Sequence, residues 1–296
     1  MAELIQETLK KMKPQKDFFI GIDSDGCVFD TMEIKQKECF IPNTIKYWQL
    51  QQVSKYVRET GEFVNLYSKW RGMNRFPSLV MIFDLLKDRP EVVKREVTIP
   101  EAKSLREWIK KETKLSNSVL KATVEKTGDP VLKNTLQWSE AVNRAVADIV
   151  KNIPPFPFAR ESLKKAREKA DVVVVSATPL KALQREWEEH GIAQYVRAIC
   201  GQEVGSKDEH IALAAGGKYK KEHILMVGDA IGDMKAAKKN EALFYPINPG
   251  KEDESWERFY EEALDRFFAE EYAGTYELGL IEKFEKYLPS MPPWEK

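Results

Sequence analysis

The fold is decided by one stretch near the start of the chain, which reads Phe18-Phe19-Ile20-Gly21-Ile22-Asp23-Ser24-Asp25-Gly26. Its first five residues are apolar or small, and this run predicts a buried β-strand. Side chains two residues apart in an extended strand lie on the same face, so Asp23 and Asp25 are expected to project together at the strand end. Two adjacent carboxylates repel each other unless they share a proton or a divalent cation. Mg²⁺ is the expected cation, because it selects hard oxygen ligands.

Two later segments repeat the pattern of an apolar strand that ends in an oxygen-bearing side chain. Residues 171–175 are an aspartate and four valines, and Ser176 follows them directly. Residues 223–228 form another mostly apolar run that leads into Asp229, with Asp233 four residues later. In parallel α/β sheets, functional groups gather beyond the carboxyl ends of the strands. The three strand ends are therefore expected to form one site.

A lysine lies between the last two of these segments in the sequence. Lys207 stands at a predicted helix start, with Ser206 or Asp208 as the cap. His210 follows on the same predicted helix and is expected to lie at the surface. The set of groups and their order carry more information than any one of them.

In that order, the groups resemble the four motifs of the haloacid dehalogenase (HAD) superfamily of phosphohydrolases. The resemblance covers residues 17–30 and 154–250. It implies an α/β fold with a Rossmann-like parallel-sheet core and an inserted all-helical cap. It identifies the reaction class well and the substrate poorly, because one scaffold hosts many substrates. The matching motifs are Asp23-x-Asp25-Gly26, Ser176, Lys207 and Gly228-Asp229-x-x-x-Asp233.

Within this resemblance, four residues receive catalytic roles. Asp23 is the expected nucleophile that forms an aspartyl-phosphate. Asp25 is expected to protonate the leaving oxygen and later to take a proton from the attacking water. Ser176 would donate a hydrogen bond to the transferring phosphoryl group. Lys207 would offset the negative charge of Asp23 and of the phosphate.

The same resemblance implies a Mg²⁺ cofactor and its ligands. Asp23 and Asp229 would supply carboxylate oxygens. Asp25 would contribute its backbone carbonyl, since its side chain must stay off the metal to carry a proton. Asp233 would support the ion through a bound water or through Lys207. Read without the other motifs, Asp233 could instead be a residue of the first helical turn that interacts with the helix dipole.

Between the first two motifs lies a long insertion, residues 31–153, which resembles the helical cap of the superfamily's first cap class. Gly128-Asp129-Pro130 predicts a break before the last helix of the insertion. A cap of this kind excludes water and contacts the leaving group. Apolar residues at three- and four-residue spacing predict helices over residues 44–59, 76–86, 100–113 and 134–151.

One segment of the insertion, residues 67–77, joins three cations, an amide, aromatic side chains and a glycine in a predicted loop. Arginine binds carboxylate or phosphate through two parallel hydrogen bonds. Arg71, Asn74 and Arg75 are therefore candidate substrate-binding residues. The alternative is a connection between helices in which the arginines pair with acidic neighbours.

The remaining features set the domain plan and the setting of the protein. Lys plus Arg and Asp plus Glu balance at 47 each, which argues against nucleic acid or an acidic membrane as partners. The N-terminus has no apolar signal core, and three cysteines without metal spacing suit a reducing, cytoplasmic compartment. Residues 1–30 and 154–250 are expected to form the core. Residues 251–296 are expected to form a helical extension packed on it.

Together these features predict a Mg²⁺-dependent phosphatase, a monomer or homodimer, that hydrolyses a small phosphorylated metabolite. Two alternatives remain open. A phosphomutase of the same superfamily would use the same residues and return the phosphate to the bound intermediate. A catalytically idle binding protein on this fold is the other, and the complete set of motifs argues against it.

Overall fold

The computed structural model describes residues 2–295 of the 296-residue chain. The predicted ranges 1–30 and 251–296 begin at Met1 and end at Lys296, and these two residues lie outside the described part of the chain. No helix within residues 2–295 is both long and apolar enough to span a bilayer. All three cysteines are buried and free.

A five-stranded parallel sheet forms the centre of the fold, in the strand order β3-β2-β1-β4-β5. The central strand β1 is the one that leads into Asp23, so the predicted α/β class and its parallel sheet are confirmed. The strands are β1 Phe18–Ile22, β2 Ala170–Val175, β3 Ala198–Cys200, β4 Ile224–Gly228 and β5 Leu243–Pro246.

The inner strands are buried on both faces, as the continuous apolar runs predicted. Along β1 successive side chains alternate between two apolar clusters. Ile20 and Ile22 pack into the cluster on one face, and Phe19 packs into the cluster on the other. The valines of β2 alternate in the same way. Because helices cover both faces, only the strand ends are left to carry polar chemistry.

Sixteen α-helices connect and surround the strands among the described residues. Two π-helical segments, Lys35–Phe40 and Phe259–Ala263, interrupt helical runs. In chain order the α-helices are α1 Ala2–Lys11, α2 Thr31–Ile34, α3 Ile41–Tyr47, α4 Ser54–Asn65, α5 Arg75–Lys87, α6 Pro90–Val93, α7 Lys103–Lys111, α8 Asn117–Thr127, α9 Pro130–Ile149, α10 Ala159–Lys169, α11 Leu180–Glu189, α12 Lys207–Ala215, α13 Ile231–Lys239, α14 Glu252–Arg258, α15 Leu264–Phe268 and α16 Thr275–Tyr287.

The described chain divides into two compact units. The sheet unit comprises residues 2–31 and 152–288, and the helical unit comprises residues 32–151 and 289–295. The chain therefore passes from one unit to the other three times. Residues 252–288 belong to the sheet unit, where the side chains of Trp256, Phe259 and Phe267 are fully buried in its core.

One predicted helix of the insertion is wrong in its extent. The run predicted over residues 44–59 is split into α3 and α4, because Gln49 adopts a left-handed backbone conformation with φ of 54° between them. The predicted break at residues 128–130 is confirmed. Gly128 ends α8 at φ of 65°, and the Asp129 side chain accepts a hydrogen bond from the Leu132 N–H at the start of α9.

Candidate active site

Asp23 directly follows the central strand and is almost fully buried. Its backbone N–H donates to the Val227 carbonyl of the neighbouring strand at 3.0 Å, which continues the ladder one residue beyond β1. Only 5 % of the residue is exposed. The carboxylate oxygen Oδ2 accepts a hydrogen bond from Lys207 Nζ at 2.7 Å. The other oxygen, Oδ1, is buried and has no hydrogen-bond partner among the described residues.

Lys207 is placed by the start of α12. Ser206 caps this helix, and its backbone N–H and hydroxyl both donate to the Glu209 carboxylate, so of the two predicted caps Ser206 is the one used. From this fixed end the lysine reaches Asp23 and, at 2.5 Å, Asp233 Oδ1. Burial lowers the pKa of Lys207, but the neighbouring carboxylates raise it by more, so the side chain stays cationic.

Three buried carboxylates meet beyond the ends of β1 and β4. Ligand oxygens of Asp23, Asp229 and Asp233 all lie within 4.8 Å of one another. Asp233 also accepts the Ala230 N–H at 3.0 Å through Oδ2, so it serves both Lys207 and the first turn of α13. Gly228 makes this approach possible, since a Cβ there would lie 2.4 Å from Asp233 Cβ. The glycine before Asp229 is thus a requirement of packing.

The electrostatics of this group fit a divalent cation. Burial raises the pKa of Asp23 from 3.8 to about 6, although Lys207 opposes the shift. Burial raises the pKa of Asp233 to about 6 as well, again against Lys207. One lysine therefore does not compensate three buried carboxylates. A hard dication would restore the charge balance, and the buried Asp23 Oδ1 is an oxygen ready to bind one.

Asp25 is bound by two hydroxyls and is not one of these three carboxylates. Its Oδ1 accepts from Thr31 Oγ1 at 2.5 Å, and its Oδ2 accepts from Thr178 Oγ1 at 2.5 Å. Its side chain is partly exposed, unlike those of the three buried carboxylates. A carboxyl group in this position can exchange a proton with a ligand beyond the strand ends.

Ser176 follows β2 directly and is 1 % exposed. Its backbone N–H donates to the Cys200 carbonyl at 3.0 Å, which extends the pairing of β2 with β3. Its hydroxyl accepts the Thr178 N–H at 3.2 Å. The hydroxyl proton remains available to a bound anion.

Two buried indoles hold the loop between the two motif aspartates. Trp187 Nε1 donates to the Ser24 hydroxyl at 3.0 Å, and both side chains are fully buried. Trp256 Nε1 donates to the Cys27 carbonyl at 2.7 Å. Because these bonds fix the backbone on either side of Asp25, they position the loop that carries the site.

We expect Ser24→Ala to destabilise the protein by about 1–3 kcal/mol, because it leaves the Trp187 N–H buried without an acceptor. In a Trp187→Phe background the same change should cost less than about 0.5 kcal/mol, since no donor is then left unpaired. Urea denaturation of the four proteins of this cycle measures both values.

Ser162→Ala is the matched control for that cycle. Ser162 is fully buried in the same unit, and its hydroxyl has no hydrogen-bond partner among the described residues. Its replacement should change the free energy of unfolding by less than about 0.5 kcal/mol. If Ser24→Ala lowers the free energy of unfolding equally in the wild-type and Trp187→Phe backgrounds, the hydrogen bond from Trp187 to Ser24 is not the cause of the destabilisation.

The candidate substrate residues of the predicted loop have partners inside the helical unit. Arg71 is 4 % exposed and donates to the Leu66 carbonyl. Asn74 caps α5 by accepting the Phe76 N–H. Arg75 donates to the Ser139 hydroxyl at 2.9 Å and to Asn143 Oδ1 at 2.7 Å, and burial lowers its pKa to about 10.

The hydrogen bonds of Arg75 are with neutral groups, so they do not match the acidic pairing that was the alternative for this arginine. Ser139 and Asn143 are neutral, and Leu66 contributes its backbone carbonyl. The side chains of Asn74 and Arg75 tie the loop to residues distant in the sequence. A role of Arg71, Asn74 and Arg75 in substrate binding stays a prediction.

Sequence reasoning missed the two threonines that hold Asp25. Their signals were present, because Thr31 opens the first helix after the Asp-x-Asp-Gly motif and Thr178 lies two residues after Ser176. The expectation of an exposed His210 was wrong. This side chain is fully buried, and burial, reinforced by Lys207, lowers its pKa to about 4.

Comparison with protein families finds a match over half of the chain. The family described as haloacid dehalogenase-like hydrolase matches residues 95–245, which are 151 of the 296 residues. The matched range includes Ser176, Lys207, Asp229 and Asp233, and it begins after Asp23. Comparison with curated proteins finds no match.

Solved structures with a similar fold include three from bacteria. A haloacid dehalogenase-like family hydrolase from Streptococcus pneumoniae is 14 % identical over 83 % of this chain and 91 % of its own, with a TM-score of 0.44. A haloacid dehalogenase-like hydrolase from Bacteroides fragilis is 13 % identical over 81 % and 93 %, with a TM-score of 0.49. A predicted phosphatase from Clostridium acetobutylicum is 14 % identical over 78 % and 85 %, with a TM-score of 0.42. At these scores the neighbours add no weight to the family match.

Proposed function

Because the chain belongs to the haloacid dehalogenase-like hydrolases, we propose that it is a Mg²⁺-dependent phosphatase that acts on a small phosphorylated metabolite. One observation supports this proposal above the others. The carboxylates of Asp23, Asp229 and Asp233 form one buried group, and Lys207 pairs with the first and the last of them. Asp25 is not in this group, and its two oxygens accept hydrogen bonds from threonine hydroxyls. This separates a charged, metal-binding group from a group that can carry a proton.

In the first step, a carboxylate oxygen of Asp23 attacks the phosphorus atom and the bond from phosphorus to the leaving oxygen breaks. Lys207 orients the Asp23 carboxylate through its hydrogen bond to Oδ2. Asp25 gives its proton to the leaving oxygen as the bond breaks. The product of this step is an aspartyl-phosphate on Asp23 and a free alcohol.

In the second step, Asp25 acts as a base. Its carboxylate takes a proton from a water molecule whose oxygen attacks the phosphorus, and the bond to Asp23 breaks. Inorganic phosphate leaves, and both aspartates return to their starting states. The Ser176 hydroxyl and Lys207 would hold the phosphoryl oxygens through both steps.

The cation would be held by Asp23 and Asp229. Both oxygens of Asp233 accept hydrogen bonds, from Lys207 and from the Ala230 N–H, so Asp233 would support the site by holding Lys207 in place. When bound, Mg²⁺ would offset the charges of Asp23 and of the phosphate as they approach each other. The balanced charge of the chain supports a small-molecule partner rather than a nucleic acid.

Release of inorganic phosphate tests this function. The purified protein with Mg²⁺ should release phosphate from at least one compound in a panel of phosphorylated metabolites, with kcat/KM of about 10⁴ M⁻¹ s⁻¹ or more. A phosphomutase would instead isomerise its substrate and release little phosphate. Absence of both reactions in a folded protein would favour the idle binding protein.

A further inference from the structure

Asp25 is bound by hydroxyls on both of its carboxylate oxygens. The donors are Thr31 Oγ1 on one oxygen and Thr178 Oγ1 on the other, each at 2.5 Å. Both distances lie at the short end of the range for hydrogen bonds between oxygen atoms. Thr31 begins α2, six residues after Asp25, whereas Thr178 comes from the segment after β2. The contact between Thr178 and Asp25 therefore forms only when the segments after β1 and β2 come together in the folded protein.

The position of Thr178 is itself fixed by its neighbours. Its N–H donates to the Ser176 hydroxyl at 3.2 Å, and its carbonyl accepts the Gln202 N–H at 3.1 Å. The backbone of Gly201 passes so close that a Cβ there would lie 2.7 Å from the Thr178 oxygen. A side chain on a turn held in this way has little freedom, so its hydroxyl is a rigid donor.

Asp25 needs such a donor because of its place in the chain. It lies two residues from Asp23, which pairs with the cation Lys207, and a carboxylate free to rotate would be drawn to a cation in that group. Bound in that way it could not carry a proton. The hydrogen bond from the Thr178 hydroxyl opposes that rotation.

We propose that Thr178 is a positioning residue for the acid–base step, holding the Asp25 carboxyl toward the leaving oxygen and away from Asp23. This rests on the proposed phosphatase function. Asp25 gives its proton to the leaving oxygen and regains one from water, while Thr178 keeps its own proton throughout. Thr178 acts through Asp25 and touches no reacting atom.

The test uses the need of the leaving group for a proton. An alkoxide is a poor leaving group and needs the proton of Asp25, whereas p-nitrophenolate leaves without one. Thr178→Val keeps the shape of the side chain and removes its hydroxyl. It should lower kcat/KM for the best alkyl phosphate of the panel by about 10- to 100-fold, and that for p-nitrophenyl phosphate by less than about 3-fold.

Two further variants serve as controls. Thr178→Ser keeps the hydroxyl and should stay within about 3-fold of the wild type on both esters. Thr135→Val removes the hydroxyl of a fully buried threonine in the helical unit, whose partner is the Val131 carbonyl, and should leave both rates unchanged. Thermal melting confirms that each variant is folded, and Thr178→Ala replaces Thr178→Val if the latter does not fold.

The outcomes separate this inference from the proposed function. Equal losses on both esters, or no rescue by serine, would overturn the role of Thr178 and leave the phosphatase assignment standing. A wild-type protein that hydrolyses neither ester overturns both. A loss confined to the alkyl ester, with rescue by serine, supports the positioning role.

Discussion

Replacing Asp23 with asparagine is expected to lower kcat/KM by at least about 10³-fold on every phosphate ester that the protein hydrolyses. An amide oxygen is a poor nucleophile and cannot form a stable acyl phosphate. The amide oxygen can still accept the hydrogen bond from Lys207, so the fold should be kept. Phosphate release and thermal melting of the same preparation measure the two effects.

Asp17→Asn is the matched control for this experiment. Asp17 is exposed and directly precedes the strand that leads to Asp23. Its replacement makes the same change from carboxylate to amide and leaves the proposed nucleophile intact. It should retain full activity. If Asp23→Asn kept a tenth of the wild-type rate in protein shown by mass spectrometry to be free of deamidation, Asp23 would not be the nucleophile.

Removal of divalent cations is expected to abolish turnover, and Mg²⁺ should restore it. Without a cation, Asp23 and Asp229 present uncompensated negative charge to an anionic substrate, and the single lysine does not offset it. Ca²⁺ should not substitute, because its looser and larger coordination misplaces the nucleophile. The measurement is phosphate release after chelation and dialysis, with each cation added back.

The same site predicts an effect of pH on the cation-free protein. Folding raises the pKa of Asp23 and of Asp233 from 3.8 to about 6, so the native state binds protons more tightly than the unfolded state. Stability contributed by this protonation is present at low pH and is lost as the pH rises through about 6. Mg²⁺ binds the ionised carboxylates, so it should raise the melting temperature more at about pH 7.5 than at about pH 5.

This thermal measurement does not depend on any substrate. Full activity after exhaustive chelation would contradict the cation-dependent mechanism. Equal stabilisation by Mg²⁺ at both pH values would show that the ion binds elsewhere than at these carboxylates. The Asp23→Asn variant supplies the control, because its response to Mg²⁺ should be reduced at the higher pH.

The sequence alone indicated which groups would meet at the sheet edge. Each of Asp23, Ser176 and Asp229 follows an apolar run long enough to be a strand, and parallel strands bring their carboxyl ends together. An apolar run followed by a polar side chain can be recognised within a single segment of the sequence. The class of the sheet and the placement of Lys207 at a capped helix start follow from the same kind of pattern.

Contacts between distant segments could not be predicted in this way. Thr178 reaches Asp25 across 153 positions, and Trp187 reaches Ser24 across 163. No periodicity or spacing links such pairs, because they depend on how whole elements pack. The split between α3 and α4 was missed for a different reason: the left-handed residue there is Gln49, and neither glycine nor proline marks the turn.

The strand order also determines how long the central strand stays unpaired while the chain is being synthesised. The central strand, Phe18–Ile22, pairs with Ala170–Val175 on one side and with Ile224–Gly228 on the other. At about 5–20 residues per second, a ribosome needs roughly 7–30 s after the central strand to reach the first of these partners. During that interval both edges of an apolar strand are unpaired, and unpaired strand edges can form hydrogen bonds with other chains. We therefore expect the yield of native protein to depend on chaperones and to improve when nascent chains are dilute.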